Sequence, residues 1–405
     1  MQVLLTDREL SMKKMIFVAD IFPFPMNTGG KLRTGNLLIN YSKKYEIYMF
    51  CFSDVDENEL DIKFAKSICK EVHLYSSKKS TLSKLINFFF GNKTNAEYLV
   101  FDKEMLKDIN DFIVKNKPEI IYGERLYVFQ YIKKYNNIIL DMHDVEHEAI
   151  SYFGRNKKRL IQRLQYKFET FKVKKLEKKA LSNAKAFFVV SQRDKEMYAS
   201  LMKNSVNKIH VIDNGVTFNE NYSDLKSRDE DRILFVGSMK HPPNLQGIKW
   251  FVKNVWDNIL LKNQNAKLQI IGSGYISEAD KNELLHKNVS FLGYVEDVRP
   301  YFQKCSCLIV PLFSGSGTRL KILEAFSYKI PVVSTSIGAE GLYVSHNKNL
   351  YIADTIDDMI EYLTLCCNPQ CINNEIVEAS YELVKSKYNW ECISKRAIEI
   401  IEKIK

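Results

Sequence analysis

Short apolar runs alternate with amphipathic stretches along almost the whole chain. Continuous apolar runs of strand length stand at residues 15–19, 47–52, 72–75, 120–122, 138–140, 186–190 and 209–212. Helical or amphipathic stretches separate most of them. Strands apolar on both sides of the pleat and separated by helices predict a parallel sheet covered on both faces, the doubly wound α/β architecture. Residues 213–231 are polar, with no apolar period, and read as a linker and domain boundary. A second alternating series follows, with strands at 233–236, 268–271, 289–292, 308–311, 332–334 and 350–352 and a helix over 245–261. The pattern predicts two such domains.

The loops after these strands carry the candidate chemistry. Between the apolar run ending at Leu312 and a helix from Arg319 to Phe326 lies a small-residue loop, Ser314, Gly315, Ser316, Gly317 and Thr318. Glycines leave backbone N–H groups uncovered, and the positive end of the following helix points into the loop, which suits phosphate. Arg319 and Lys321 add mobile positive charge, and the Glu324 carboxylate is placed to accept from a pair of sugar hydroxyls. The stretch reads as a seat for a nucleotide diphosphate; the plainer reading is an ordinary strand-to-helix turn. Two more loops point the same way: Gly237-Ser238 with Lys240 after the strand at 233–236, and Gly272 to Gly274 after the next. Ligands of doubly wound sheets bind beyond the carboxyl ends of the strands, so the three loops are expected around one site. In the first domain, Gly29 and Gly30 precede a helix starting near Lys31, a comparable arrangement.

A chain of 405 residues with 45% hydrophobic content is long enough for two cores. Eight cysteines without a secretory leader imply a reducing compartment, and their spacing does not resemble a metal site. No run of eighteen apolar residues exists, so a cytoplasmic protein is expected. The net charge of +10 is concentrated in residues 155–179, with eleven basic against two acidic residues. Leu160, Ile161, Leu164, Phe168, Phe171 and Leu176 recur there at helical spacing, which predicts one long amphipathic helix with a basic face. Three readings compete: a solvated face of a docked helix, a surface attracted to anionic lipid, and a nucleic-acid patch. Residues 78–90 support lipid as the second, since Leu82, Leu85, Ile86 and three phenylalanines lie beside Lys78, Lys79 and Lys84. Nucleic acid ranks last, with no helix-turn-helix, zinc-finger or RNP-type signature.

The sequence resembles a known family over nearly its whole length. VIDNGV at 211–216, VGSMKHPPN at 236–244, SGSGTRLKILEA at 314–325 and PVVSTSIGAEGL at 331–342 are similar to the GT-B glycosyltransferases, most closely the retaining family four, or group one. The resemblance implies two Rossmann-like domains facing across a cleft. It divides the chain into an acceptor-binding domain over 1–215, a nucleotide-sugar-binding domain over 216–385, and a last helix crossing back over 386–405. It implies transfer of a sugar from a nucleoside diphosphate sugar to a glycan or lipid-linked acceptor, with retention and without a metal ion or other cofactor. Glu324 matches the glutamate that contacts ribose hydroxyls. The family's other glutamate falls at Ser316, a departure that touches the donor sugar contact. Ser238 stands near an expected arginine, leaving Lys240 or Lys321 to supply charge. Gly29 and Gly30, with Lys31, resemble the glycine loop facing donor phosphates or acceptor, and His143 resembles a histidine near the reacting sugar. His143, Lys240 and Lys321 are the candidate catalytic groups, with Asp141 or Asp144 to orient the imidazole.

Two rival readings come from other classes. His143, Glu146 and His147 fit H-x-x-E-H, an inverted zincin motif, although it follows a strand rather than lying on a helix. A nucleotide-sugar 2-epimerase of the same fold would use a similar diphosphate cradle but need acidic groups for proton abstraction and no second substrate. A non-catalytic sugar-nucleotide binder is the third possibility.

Overall fold

The computed structural model describes residues 12–53, 58–76, 93–155, 157, 159–218, 229–315, 319–368 and 370–404. The chain divides into two compact units: Met1–Ile212 with Ser394–Lys405, and Asp213–Ile393.

The first unit is built on seven parallel strands, β1 (Lys14–Ala19), β2 (Glu46–Phe52), β3 (Glu71–Tyr75), β4 (Ile120–Glu124), β5 (Ile138–Asp141), β6 (Ala186–Val189) and β7 (Ile209–Val211), in the order β3-β2-β1-β4-β5-β6-β7. The reversal between β1 and β4 is the switch point of a doubly wound sheet. Helices α1 (Gly29–Ser42), α2 (Glu59–Ile68), α3 (Asn95–Leu99), α4 (Lys103–Asn116), α5 (Phe129–Ile132), α6 (Glu146–Arg155), α7 (Leu160–Asn183) and α8 (Gln192–Leu201) accompany it. Helix α1 starts at Gly29 rather than near Lys31, because Thr28 caps it and accepts from the Lys31 N–H. The glycine pair therefore forms its first turn. Its buried face carries Leu37, Leu38 and Tyr41 but also Arg33 and Thr34. These two polar groups must find partners inside.

The second unit holds six parallel strands, β8 (Asp229–Val236), β9 (Lys267–Ile271), β10 (Val289–Gly293), β11 (Cys305–Val310), β12 (Val332–Ser334) and β13 (Tyr351–Ile352), in the order β10-β9-β8-β11-β12-β13. Successive residues feed separate cores on opposite faces: Ile233, Phe235, Leu268, Ile270, Cys307 and Ile309 on one, Leu234, Ile271, Leu308 and Val310 on the other. Two-sided burial is why these strands read as unbroken apolar runs. Its helices are α9 (Pro242–Asn254), α10 (Trp256–Lys262), α11 (Glu278–Leu284), α12 (Arg299–Lys304), α13 (Leu320–Ser327), α14 (Ile356–Cys366) and α15 (Asn374–Leu383). The helix expected over 245–261 is thus two. Prolines at its first turn start α9 early, and the chain breaks at Val255 as Trp256 turns fully into the core, donating Nε1–H to the Lys287 carbonyl at 2.8 Å. Helix α16 (Trp390–Lys403) spans the division, its residues from Ser394 onward belonging to the first unit. There Tyr45 donates to Glu402 at 2.8 Å.

The basic stretch departs from its expected form. One long helix does form, α7 from Leu160 to Asn183, with Arg155 closing α6 before it, but the apolar positions do not make its buried face. Leu160, Ile161, Leu164, Phe168 and Phe171 are all at least half exposed. The buried face of α7 is Glu169, Val173, Glu177, Ala180 and Leu181 instead. Glu177 is satisfied by Tyr198 and His147, while Glu169 accepts from the Asn95 N–H at 2.6 Å through Oε1 and leaves Oε2 buried without a partner among the described residues. Residues 78–90 lie outside the described residues. Among the described residues no helix is long and apolar enough to cross a membrane. All eight cysteines are free, five of them buried.

Candidate functional site

In the second unit the loops at the carboxyl ends of β8 and β9 are laced together. Gly237 donates N–H to the Ile271 carbonyl and Met239 to that of Ser273, both at 2.8 Å, and the Ser238 hydroxyl donates to Ser273 at 3.1 Å. Their approach requires glycine, since a Cβ on Gly272 would stand 1.8 Å from the Gly237 carbonyl oxygen. Gly274 lies against the backbone of Lys240, whose side chain is exposed.

Lys321, the second residue of α13, reaches back over this floor. Its Nζ donates to Asn244 Oδ1 at 3.0 Å, while Asn244 Nδ2 donates to the Ser238 carbonyl at 2.9 Å. The amine lies 5.0 Å from the centre of the Phe235 ring, and a Cβ on Gly237 would meet it at 2.8 Å. Burial, with the charge of Arg319, pulls the Lys321 pKa down to about 7. Burial and the same two cations lower His241, which precedes α9. Positive charge is thus gathered at one sheet edge. An entering anion restores charge to Lys321.

Arg319 does not supply mobile charge as expected. It is 6% exposed, and its Nη2 donates to the carbonyls of Gly315 at 3.0 Å and Ile337 at 3.4 Å. It clamps the loop after β11, where Gly315 adopts φ +119°, to the segment after β12. Ser316, Gly317 and Thr318 lie outside the described residues. Glu324 is on the same helix, part-buried, with no hydrogen-bond partner for its carboxylate among the described residues. Burial, then Asp297, raises it to about 7. A hydroxyl pair hydrogen-bonding to its carboxylate would lower it again.

In the first unit the buried residues of α1 meet the carboxyl ends of β4 and β5. Arg33 holds Asp141 through two bonds, Nε to Oδ2 at 3.0 Å and Nη2 to Oδ1 at 2.6 Å, and donates Nη1 to the Ile212 carbonyl at 2.9 Å. Tyr122 donates to Asp141 Oδ2 at 2.8 Å, and Thr34 to Glu124 Oε1 at 2.7 Å. Glu124 Oε1 also bonds His143 Nε2. The opposite ring nitrogen, Nδ1, faces Gly30, where a Cβ would lie 3.5 Å away. His143 and the glycine turn are therefore brought together. Neither Asp141 nor Asp144 orients the imidazole; Glu124 does, because Asp141 is taken by Arg33 and Tyr122.

Glu124, Asp141 and His143 offer ligand atoms within 4.8 Å of one another, the spacing of a metal site. The donors do not suit a cation. The Arg33 guanidinium already occupies both Asp141 oxygens, and the Glu124 oxygen is shared between Thr34 and His143. Nor does H-x-x-E-H form a zinc site. His143 precedes α6, which starts at Glu146, and His147 turns to Glu177 at 2.6 Å, while Glu146 accepts from Tyr127 at 3.0 Å. The two imidazoles serve different carboxylates.

Residues 230–367 match the family described as "Glycosyl transferases group 1". The matched stretch lies within the second unit. The chain is 24% identical, over 357 residues covering 85% of it and 88% of the relative, to an "Uncharacterized 44.6 kDa protein in cps region" of Klebsiella pneumoniae. Solved glycosyltransferases superpose on both units. HepE of Anabaena, in complex with UDP and glucose, has TM-score 0.66 at 13% identity, covering 96% of this chain and 100% of its own. A TarM mutant from S. aureus, in complex with fondaparinux, α-GlcNAc-glycerol and UDP, gives 0.64 at 16%, covering 96% and 100%. WaaG, described as a glycosyltransferase involved in lipopolysaccharide biosynthesis, gives 0.64 at 12%, covering 96% and 100%. These likenesses establish the GT-B fold.

In the second unit, sequence reasoning missed Asn244, which holds Lys321 against the glycine floor. Its one signal was its place at the end of the loop that also carries Lys240. Glu124 in the first unit was missed for a similar reason: it ends an apolar strand, and its partner lies nineteen residues on.

Proposed function

We propose that the protein transfers a sugar from a nucleoside diphosphate sugar to a glycan or lipid-linked acceptor, in surface polysaccharide or glycolipid assembly. The observation that carries this reading is Lys321, an amine held by Asn244 over the close-packed turns of Gly237 and Gly272, where burial lowers its pKa and an anion would favour its charged form. The complexes of HepE and TarM with UDP support the same donor class, and the Klebsiella relative from a cps region supports the setting.

In this reading Gly237, Ser238, Lys240, Gly272 and Gly274 line the diphosphate, with the start of α13 beyond them. Glu324 takes the ribose hydroxyls. The bond from the anomeric carbon to phosphate breaks, the diphosphate leaves with the electron pair, and the acceptor hydroxyl bonds to that carbon on the same face and gives its proton to the departing phosphate. Lys321, Lys240 and aligned N–H groups stabilise the leaving charge, an electrostatic contribution of about 3–4 kcal/mol per well-placed donor. No metal ion is needed for that step, and no cofactor. His143 serves the reacting sugar, while Gly29, Gly30 and Lys31 serve the acceptor side.

Binding of a panel of nucleoside diphosphates and their sugars, with and without magnesium, tests the reading against Glu324→Ala. Tight binding of one nucleotide, indifferent to magnesium and weakened by the substitution, is the expected result. Binding that ignores Glu324, or donor turnover without any acceptor, overturns it.

A further inference from the structure

Helices α6 and α7 form a hairpin that closes through Gly154, where a Cβ would stand 2.6 Å from Tyr166 Cβ. Beside this contact lies a surface cavity of about 380 Å³ whose wall includes Arg155, Arg163, Lys167, Leu160, Leu164 and Tyr166. Three cations and two leucines line one opening. From its rim the apolar stripe of α7 continues outward. At about 100° per residue, Leu160, Ile161, Leu164, Phe168 and Phe171 fall within about 100° of arc. Leu160 and Ile161 are 70% and 72% exposed, and Phe171 66%. Arg159, Lys174, Lys175 and Lys178 are exposed on the same helix or immediately before it.

We propose that this hairpin docks on a bilayer rich in anionic phospholipid, with the α7 stripe entering the interface and a lipid phosphate seated among Arg155, Arg163 and Lys167. An apolar arc flanked by cations is the arrangement of an interfacial helix. Charge selects this occupant over others. A second copy docked by the same face would bring two clusters of arginine and lysine together at close range, on chains already carrying +10 each. A nucleic acid would be held by the cations but leave the leucines and phenylalanines in water. The inference stands independently of which sugar is transferred.

Co-sedimentation of the full chain with vesicles tests it, comparing neutral phosphatidylcholine with the same lipid carrying about a third phosphatidylglycerol at about 0.1 M salt. The pairs Leu164→Glu with Phe168→Glu and Arg163→Gln with Lys167→Gln all change exposed side chains, and circular dichroism checks that each variant is folded. The wild type binds anionic vesicles at least ten-fold more tightly than neutral ones. The apolar pair loses binding to both, and the cationic pair loses about five-fold of the anionic preference per charge removed. Three results overturn the proposal: no binding to anionic vesicles, binding that neither pair alters, or a wild-type dimer that the apolar pair converts to monomer while vesicle binding is unchanged.

Discussion

Glu124 and His143 form one hydrogen-bonded pair across neighbouring strands, Oε1 of the carboxyl against Nε2 of the imidazole. The second carboxyl oxygen, Oε2, is buried with no partner among the described residues. Burial accordingly raises Glu124 to about 7 and lowers His143 to about 3, so the imidazole is neutral near neutral pH. The state of Glu124 then fixes the tautomer. A protonated carboxyl donates to Nε2 and leaves the ring proton on Nδ1, facing Gly30; an ionised one takes the proton on Nε2 and leaves Nδ1 an acceptor.

Under the proposed transfer reaction, with His143 donating to the sugar, the rate at saturating substrates falls as pH rises through about 7. Glu124→Gln presents a donor to Nε2 at every pH and flattens that limb, whereas His143→Ala lowers the rate about 10²-fold or more at all pH. A pH profile of kcat for the three proteins checks this. A limb unchanged in Glu124→Gln sinks it.

Lys321 makes a second pH-dependent expectation. With its pKa near 7 in the empty protein, the amine is largely neutral at pH 8 and must gain a proton when a diphosphate enters. Nucleotide binding at pH 8 therefore takes up about one proton at Lys321 and weakens as pH rises further, while at pH 6 that uptake vanishes and the lowering of Glu324 by the bound hydroxyls makes binding release a proton instead. Calorimetry in two buffers of different ionisation enthalpy measures the uptake. Lys321→Met abolishes it and costs about 1.5–3 kcal/mol of binding.

How much of this was legible in sequence follows from what each residue touches. The strands were legible because both faces are buried, so Ile233 and Leu234, on opposite cores, are both apolar. The glycine turns were legible because a close approach such as that of Gly272 to Gly237 admits no other residue. The α7 helix had the expected period, yet its apolar arc faces out and Glu169 and Glu177 face in. Period alone does not say which face docks when buried carboxylates have distant partners such as the Asn95 N–H and Tyr198. Arg319 illustrates the same limit: an arginine in a glycine loop reads as a free cation, and only the Gly315 and Ile337 carbonyls show it as a clamp.

The Arg33–Asp141 pair is almost wholly shielded, with side chains 1% and 0% exposed. Removing one partner strands the other charge. Arg33→Met destabilises the first unit by about 3–5 kcal/mol, whereas the double change Arg33→Met with Asp141→Leu costs less than Arg33→Met alone. Urea unfolding followed by a probe in that unit measures both.

Gly272 supplies the last expectation, because its role separates close approach from backbone freedom. A Cβ there would lie 1.8 Å from the Gly237 carbonyl oxygen, a rigid backbone atom, so Gly272→Ala must push the β8 and β9 loops apart. That movement breaks the bonds from Gly237 to Ile271 and from Met239 to Ser273 on which Asn244 and Lys321 are set. The cost is about 1–3 kcal/mol of stability, with nucleotide affinity falling by more than ten-fold. Gly293 is the control: its φ of +68° also favours glycine, but a Cβ there meets nothing within 4 Å. Gly293→Ala strains the backbone by about 1–2 kcal/mol and leaves nucleotide affinity within about two-fold. Equal loss of binding in both variants would mean that general softening of the unit, rather than displacement of the Gly237 floor, governs the site.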